Sequence, residues 1–149
     1  MTTKELLFAD YDGYHMDPRN KVCHFIGIPL IAGSLIGLAL RWDFVTVGHV
    51  GISAGHVLLI GSTIFYAVIA PNLALPMLAS AAFLGAIGRA LPPWYALAVF
   101  VVGWIFQFIG HLGYEKKSPA FLKNAGHLLV GPLWVLEAAM GRRQSPAST

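Results

Sequence analysis

Apolar residues fill most of this chain in four long runs, set apart by short polar or proline-rich breaks. The first run opens at Asp17-Pro18, where aspartate can cap a helix and proline fits the first helical position. It passes Arg19, Asn20, Lys21 and His24, then stays apolar to Leu40, with a kink predicted at Pro29. Residues 52–70 form the second run, ended by a predicted tight turn at Pro71-Asn72. Residues 73–90 form the third, where Ala79, Ser80, Ala81, Ala82, Gly85 and Ala86 suit close helix packing. Pro92-Pro93 breaks it, and residues 94–113 form the fourth. Each run approaches the roughly 20 residues that cross a bilayer.

The flanking segments read differently. Residues 4–15 predict a short amphipathic surface helix, with Leu7, Tyr11 and Tyr14 at i, i+4 and i+7. Residues 41–51 read as a loop with Trp42 as an interfacial anchor. Ser118-Pro119 predicts another helix start, running through Lys123, Asn124 and His127, kinking at Pro132 and ending at Gly141. Its apolar part, residues 125–140, is short for a span and either crosses thinly or lies re-entrant. The expected fold is all-α: a polytopic integral membrane helix bundle of four to five transmembrane helices plus the short N-terminal helix. It is expected as one membrane-embedded domain over residues 1–141, with a polar, disordered tail at 142–149.

Composition strengthens the membrane reading. Hydrophobic residues make up 56% and charged residues 11%, where a soluble domain carries about a quarter charged. Residues 1–21 hold seven charges, residues 114–149 hold seven, and the 92 between hold Arg41, Asp43 and Arg89. The net charge of +3 sits at the ends of apolar runs, where a membrane surface explains it and nucleic acid does not. The single Cys23 excludes an intrachain disulfide and a cysteine-cluster metal site. The first 21 residues are polar and acidic, unlike a signal peptide, so targeting is expected from the spans themselves.

The candidate chemistry lies at the end of the fourth run. Gln107, His111 and Glu115 are spaced i, i+4, i+8 and share a helical face; Asn20 and His24 share another. If four runs cross, parity returns the chain to its starting side, so His15, His24, His111, Glu115 and His127 lie on one face of the membrane. His49 and His56 lie on the other, about 30 Å away, and read as structural. Lys4, Arg19, Lys21, Lys116, Lys117 and Lys123 share the first face, which marks it as cytoplasmic.

Imidazole and carboxylate ligands without thiolate suit Zn, Fe, Mn, Cu or Ni, and two or three histidines with a carboxylate match O2-binding non-haem iron. His-Glu-x-x-His, a glycine-rich phosphate loop and Gly-x-Ser-x-Gly are all missing. Glu115 reads as a ligand, as a group orienting a ligand, or as a partner for Lys123. Gln107 reads as a site amide or as an interhelical hydrogen bond, and Lys116 and Lys117 as topology anchors or a dock for an anionic head group. A metal-dependent membrane hydrolase, with Glu115 as base, and a non-catalytic lipid-binding protein with structural histidines stand as alternatives.

Two clusters carry a resemblance. Tyr14-His15, Asn20, His24 and Gly27-Ile28-Pro29, then Gln107-Phe108-Ile109-Gly110-His111, Glu115-Lys116, Ser118-Pro119-Ala120 and Gly131-Pro132, are similar to the opening and closing signatures of the yeast-type 2-hydroxy fatty acid dioxygenase family. These are small multi-span proteins formerly known as a domain of unknown function. The resemblance implies an Fe2+-dependent dioxygenase that uses O2 to shorten a long-chain 2-hydroxy fatty acid by one carbon. It would sit in the endoplasmic reticulum of a eukaryote or a bacterial inner membrane. Carried over by position, His15, His24 and His111 are the expected iron ligands, Glu115 a catalytic neighbour and His127 a candidate fourth ligand. Asn20, Gln107, Lys116 and Arg19 are candidate substrate contacts, with Lys116 or Arg19 neutralising the carboxylate and the acyl chain lying between spans. Membrane lipid and a second copy of the chain are the other expected partners.

Overall fold

The structure, a computed structural model, describes residues 1–142. The tail expected at 142–149 lies, from residue 143 onward, outside the described residues. Six α-helices dominate the described residues: α1 (Thr3–Gly13), α2 (Pro18–Ala39), α3 (Ala54–Ile69), α4 (Pro71–Ala90), α5 (Pro93–Phe108) and α6 (His127–Ala139). A π-helical segment, Ile109–Glu115, continues α5.

Local chemistry sets the boundaries. Thr2 and Glu5 form a capping box that starts α1. Asp17 accepts the Arg19 amide at 2.8 Å and Pro18 occupies the first position of α2, as that dipeptide predicts. α2 runs unbroken through Pro29 for 22 residues. The turn expected at Pro71-Asn72 contracts to Ala70, because Pro71 itself fits the first position of α4.

Two expectations need correction. The loop at 41–51 contains a β-hairpin, β1 (Asp43–Val47) paired antiparallel with β2 (Val50–Ser53). Val47 opposes Val50 across Gly48-His49, and Gly48 takes the positive φ of 63° that a two-residue hairpin turn needs. Ser118-Pro119 does not start a helix. Pro119 is buried and a single 3-10 turn follows at Ala120–Leu122; α6 begins only at His127, without a side-chain cap.

Among the described residues, three helical stretches are long and apolar enough to cross a membrane: Pro18–Ala39, Pro71–Ala90 and Pro93–Glu115. α3 and α6, with 16 and 13 residues, are apolar but shorter. At 1.5 Å per residue they reach about 24 and 20 Å against a hydrocarbon core of about 30 Å.

α2 is the central helix, packed along α5 and α4. Its approach to α4 is backbone to backbone: a Cβ on Gly37 would overlap the backbone of Gly88 and Arg89. The small residues that make this contact are therefore Gly85 and Gly88, while Ala79, Ala82 and Ala86 face outward. The Arg41 guanidinium gathers the end of α4, donating to the carbonyls of Gly88, Arg89 and Leu91. The first turns of α2 meet the other end of α5, so these two helices are antiparallel.

α1 is strapped to α6 by three polar contacts. Lys4 Nζ meets Glu137 Oε1 at 2.6 Å, Trp134 Nε1 donates to Asp12 Oδ1 at 2.8 Å, and His127 Nε2 meets Asp10 Oδ2 at 2.7 Å. Phe8 and Tyr11 are buried beneath these straps with Tyr66, Leu73, Leu133 and Trp134. So α1 is part of the core, and its C-terminal end is held where α2 begins.

Candidate metal centre

Three elements deliver one histidine each to a single point. His15 follows the end of α1, His24 lies in the second turn of α2, and His111 lies in the π segment. Each is 2% exposed, and one ring nitrogen from each falls within 4.8 Å of the others. π-helical turns occur in short pieces, often at functional sites. Gly110 lets this one approach α2, since a Cβ there would strike Asn20 Oδ1 and Cys23. Lys116 closes the segment in the left-handed conformation, with φ 54°.

The hydrogen bonds fix the tautomers. His15 Nδ1 lies 2.5 Å from the Tyr11 carbonyl and His24 Nδ1 lies 2.9 Å from the Asn20 carbonyl. A carbonyl only accepts, so both Nδ1 atoms carry the proton, and a neutral imidazole has only one. Both Nε2 atoms are then bare lone pairs, yet they stand 3.0 Å apart. Two lone pairs at that distance repel unless a cation lies beside them. His111 Nδ1 is buried with no hydrogen-bond partner, a costly state for a polar atom. Imidazoles whose far nitrogens are tied to backbone carbonyls are the usual preparation for metal binding. The donor set fits a divalent transition metal.

Burial, and after it the neighbouring His24, pushes the His15 imidazole down from 6.5 to about 2. The neutral form that a metal needs is therefore held through the physiological range. Because the folded value lies below the unfolded one, the unfolded chain binds the extra proton as the pH falls. We expect the metal-free protein to lose stability progressively below about pH 6.5, with no contribution from this group above it. Thermal unfolding in detergent at pH 5 and pH 8 checks this: the midpoint should be lower at pH 5, and an equal or higher one contradicts it.

The three histidines open into one end of a cavity of about 470 Å³. Along α2 its wall is His24, Ile28, Ile31 and Leu35; along α5 and the π segment it is Phe100, Trp104, Gln107 and His111. Both stripes are polar only at the histidine end. The Gln107 amide nitrogen is buried there without a partner. His127 also lines the cavity, held by Asp10, with its Nδ1 buried and unpartnered; it stands outside the three-histidine group.

The remaining candidates lie elsewhere. The Glu115 carboxylate accepts the Asp17 amide at 2.6 Å, fastening the π segment to the start of α2. Arg19 is exposed, paired with Asp17 and resting on the Tyr114 ring. Lys116 is exposed, and Lys117 reaches the Gly13 carbonyl. Asn20, in the first turn of α2, is fully buried against Gly110, its amide donating to the Tyr14 carbonyl at 3.4 Å. His56 bonds the Ser53 amide and hydroxyl at the start of α3.

Tyr11 escaped the sequence reading as a site residue. Its ring stacks on His15 with centroids 3.9 Å apart while its carbonyl holds His15 Nδ1. The i, i+4 spacing of Tyr11 and His15 was the available signal.

Fold and site together define a helical protein with three membrane-length apolar helices and a buried three-histidine cluster able to hold a metal. The model of the family described as 2-hydroxy-palmitic acid dioxygenase Mpo1-like matches residues 1–143. The 2-hydroxy-palmitic acid dioxygenase MPO1 of Saccharomyces cerevisiae is 30% identical over 131 residues, covering 85% of this chain and 73% of the yeast protein. No solved structure matches. The chain belongs to the Mpo1-like family.

Proposed function

We propose that this protein is an Fe(II)-dependent dioxygenase that shortens long-chain 2-hydroxy fatty acids by one carbon. The observation that carries the reading is the pair of bare Nε2 atoms 3.0 Å apart, with His111 beside them, at the polar end of an apolar cavity. Kinship with a protein named 2-hydroxy-palmitic acid dioxygenase supports the substrate class. The balance needs no second reductant: 2-hydroxy acid plus O2 gives the acid one carbon shorter, CO2 and water, four electrons passing from substrate to O2. Bound iron supplies these electron transfers and open positions for a hydroxy-carboxylate and O2.

The chain's own residues do the rest. His15, His24 and His111 hold the metal, and the carbonyls of Tyr11 and Asn20 fix the first two rings. Gln107 lines the cavity beside His111, and its amide, whose nitrogen packs unpaired against Gly27 of α2, donates to the substrate carboxylate or hydroxyl once it turns toward the cavity. Glu115 positions the π segment through the Asp17 amide, which occupies it and weakens the hydrolase alternative that needs it as a base. Arg19 and Lys116, exposed outside the cavity, attract the carboxylate at the membrane surface rather than hold it. Residues 1–141 work as one domain in which α3 makes a fourth crossing. The site then faces the cytoplasm beside Lys4, Arg19, Lys21, Lys116 and Lys117.

Oxygen uptake by iron-loaded protein tests the reaction. Uptake is expected with 2-hydroxyhexadecanoate and not with hexadecanoate, with the fifteen-carbon acid as product at one per O2. Equal uptake with both acids, or a product of unchanged length, would sink the proposal.

A further inference from the structure

The cavity is not closed along its length. Val57 and Leu58 of α3 line it and are 55% and 42% exposed, and Leu35 of α2 is 42% exposed. Gly61, one turn further along α3, also lines it and is exposed; a Cβ there would meet nothing within 4 Å. The opposite wall is Phe100 and Trp104 of α5. At the far end the cavity meets buried Ile36 of α2. α3 packs on α4 and α2, while α5 packs on α2, so a slot remains between α3 and α5 with α2 as its floor. The slot passes Ile31 and Leu35 of α2 and Phe100 and Trp104 of α5, both membrane-length helices. In a bilayer crossed by these two helices, the mouth opens to lipid and not to water.

The dimensions suit one hydrocarbon chain. His24 to Leu35, and Phe100 to His111, each span eleven residues, about 16 Å at 1.5 Å per residue. A tetrahedral chain with bonds of about 1.5 Å fits roughly a dozen extended methylenes in that length.

Building on the function proposed above, we infer that the slot between α3 and α5 is a lateral portal. A single-chain carboxylic lipid enters through it from the bilayer, head toward the histidines and tail along α2 toward Leu35 and Ile36. Gly61 keeps the portal open. Glycine inside a helix costs stability relative to other residues, and here nothing packs against it to require its small size.

The test uses a sixteen-carbon 2-hydroxy acid with a diazirine at the tail end, photolysed on the full chain in vesicles. Unlabelled acid is the competitor. Competable label is expected within residues 31–36 and 57–62. Competable label only outside those stretches overturns the portal. Gly61→Phe adds a second reading. Its activity on the sixteen-carbon acid should fall at least about tenfold, the equivalent of two methylenes leaving the apolar slot. Activity on 2-hydroxyhexanoate, too short to reach Gly61, should hold, as should the metal content. An equal change for both acids overturns the portal. Label at the expected stretches in protein that consumes no O2 supports the portal and removes the reaction. Turnover with label elsewhere does the reverse.

Discussion

His24→Ala should yield a folded protein that fails to bind the metal proposed for the three-histidine cluster. The substitution removes one of the three histidine nitrogens that, among the described residues, converge on the site. Losing a group that merely orients a ligand already costs about 10–100-fold in metal affinity, so losing a ligand should cost more than about 100-fold, with activity falling alongside. The metal-free fold should hardly suffer. In the native protein the His15 and His24 Nε2 lone pairs confront each other at 3.0 Å, and the alanine removes that repulsion while opening a small void. The signature is thus an uncoupling. Iron should raise the unfolding midpoint of the native protein, since a ligand at 100 times its Kd adds about 2.7 kcal/mol, and should leave the variant unmoved. His56→Ala, which loses only its contacts with Ser53 at the far end of α2, should keep the iron response. Retained iron binding in His24→Ala would remove this histidine from the site.

The second large effect is on folding. Gly37→Leu places a side chain where the backbone of α4 already runs, against the Gly88 carbonyl carbon and the Arg89 nitrogen. Backbone cannot rotate aside as a side chain can, so α2 and α4 must part along their whole contact. We expect a loss of about 3 kcal/mol or more, the upper range for overpacking, seen as a lower unfolding midpoint and poor yield. Gly61→Ala is the matched control. Its Cβ meets open space, so the gain in helix propensity should leave it neutral or up to about 1 kcal/mol more stable. Equal destabilisation of both variants would contradict the packing described for α2 and α4.

The two substitutions also show what the sequence revealed and what it did not. Apolar run lengths, the Asp17-Pro18 start and the Pro92-Pro93 break are local signals, and α2, α4 and α5 follow them closely. The parity of crossings paired the start of α2 with the end of the fourth run, and His24 and His111 stand together in the fold. What failed was local structure decided by tertiary contact. Ser118-Pro119 has the chemistry of a helix start, but Pro119 is buried instead of opening a helix. Phe44 to Val47 and Val50 to Ile52 carried a β-branched pattern around Gly48 that the surrounding helices overshadowed. The face shared by Gln107, His111 and Glu115 was legible only as spacing. The π segment turns Glu115 onto the Asp17 amide while Gln107 and His111 remain at the cavity. No periodicity announces a π turn. The roles of Tyr11 and Asp10 depend on α1 being strapped to α6, a contact between the two ends of the chain.

Iron-edge X-ray absorption of the anaerobically loaded protein, with metal analysis of the same sample, reads whether His15, His24 and His111 form one metal centre. One iron per chain is predicted, with outer-shell scattering from about three imidazoles that falls to about two in His111→Ala if any iron remains. Iron absent after loading, or bound with the same imidazole scattering in native and His111→Ala protein, would rule out a three-histidine centre.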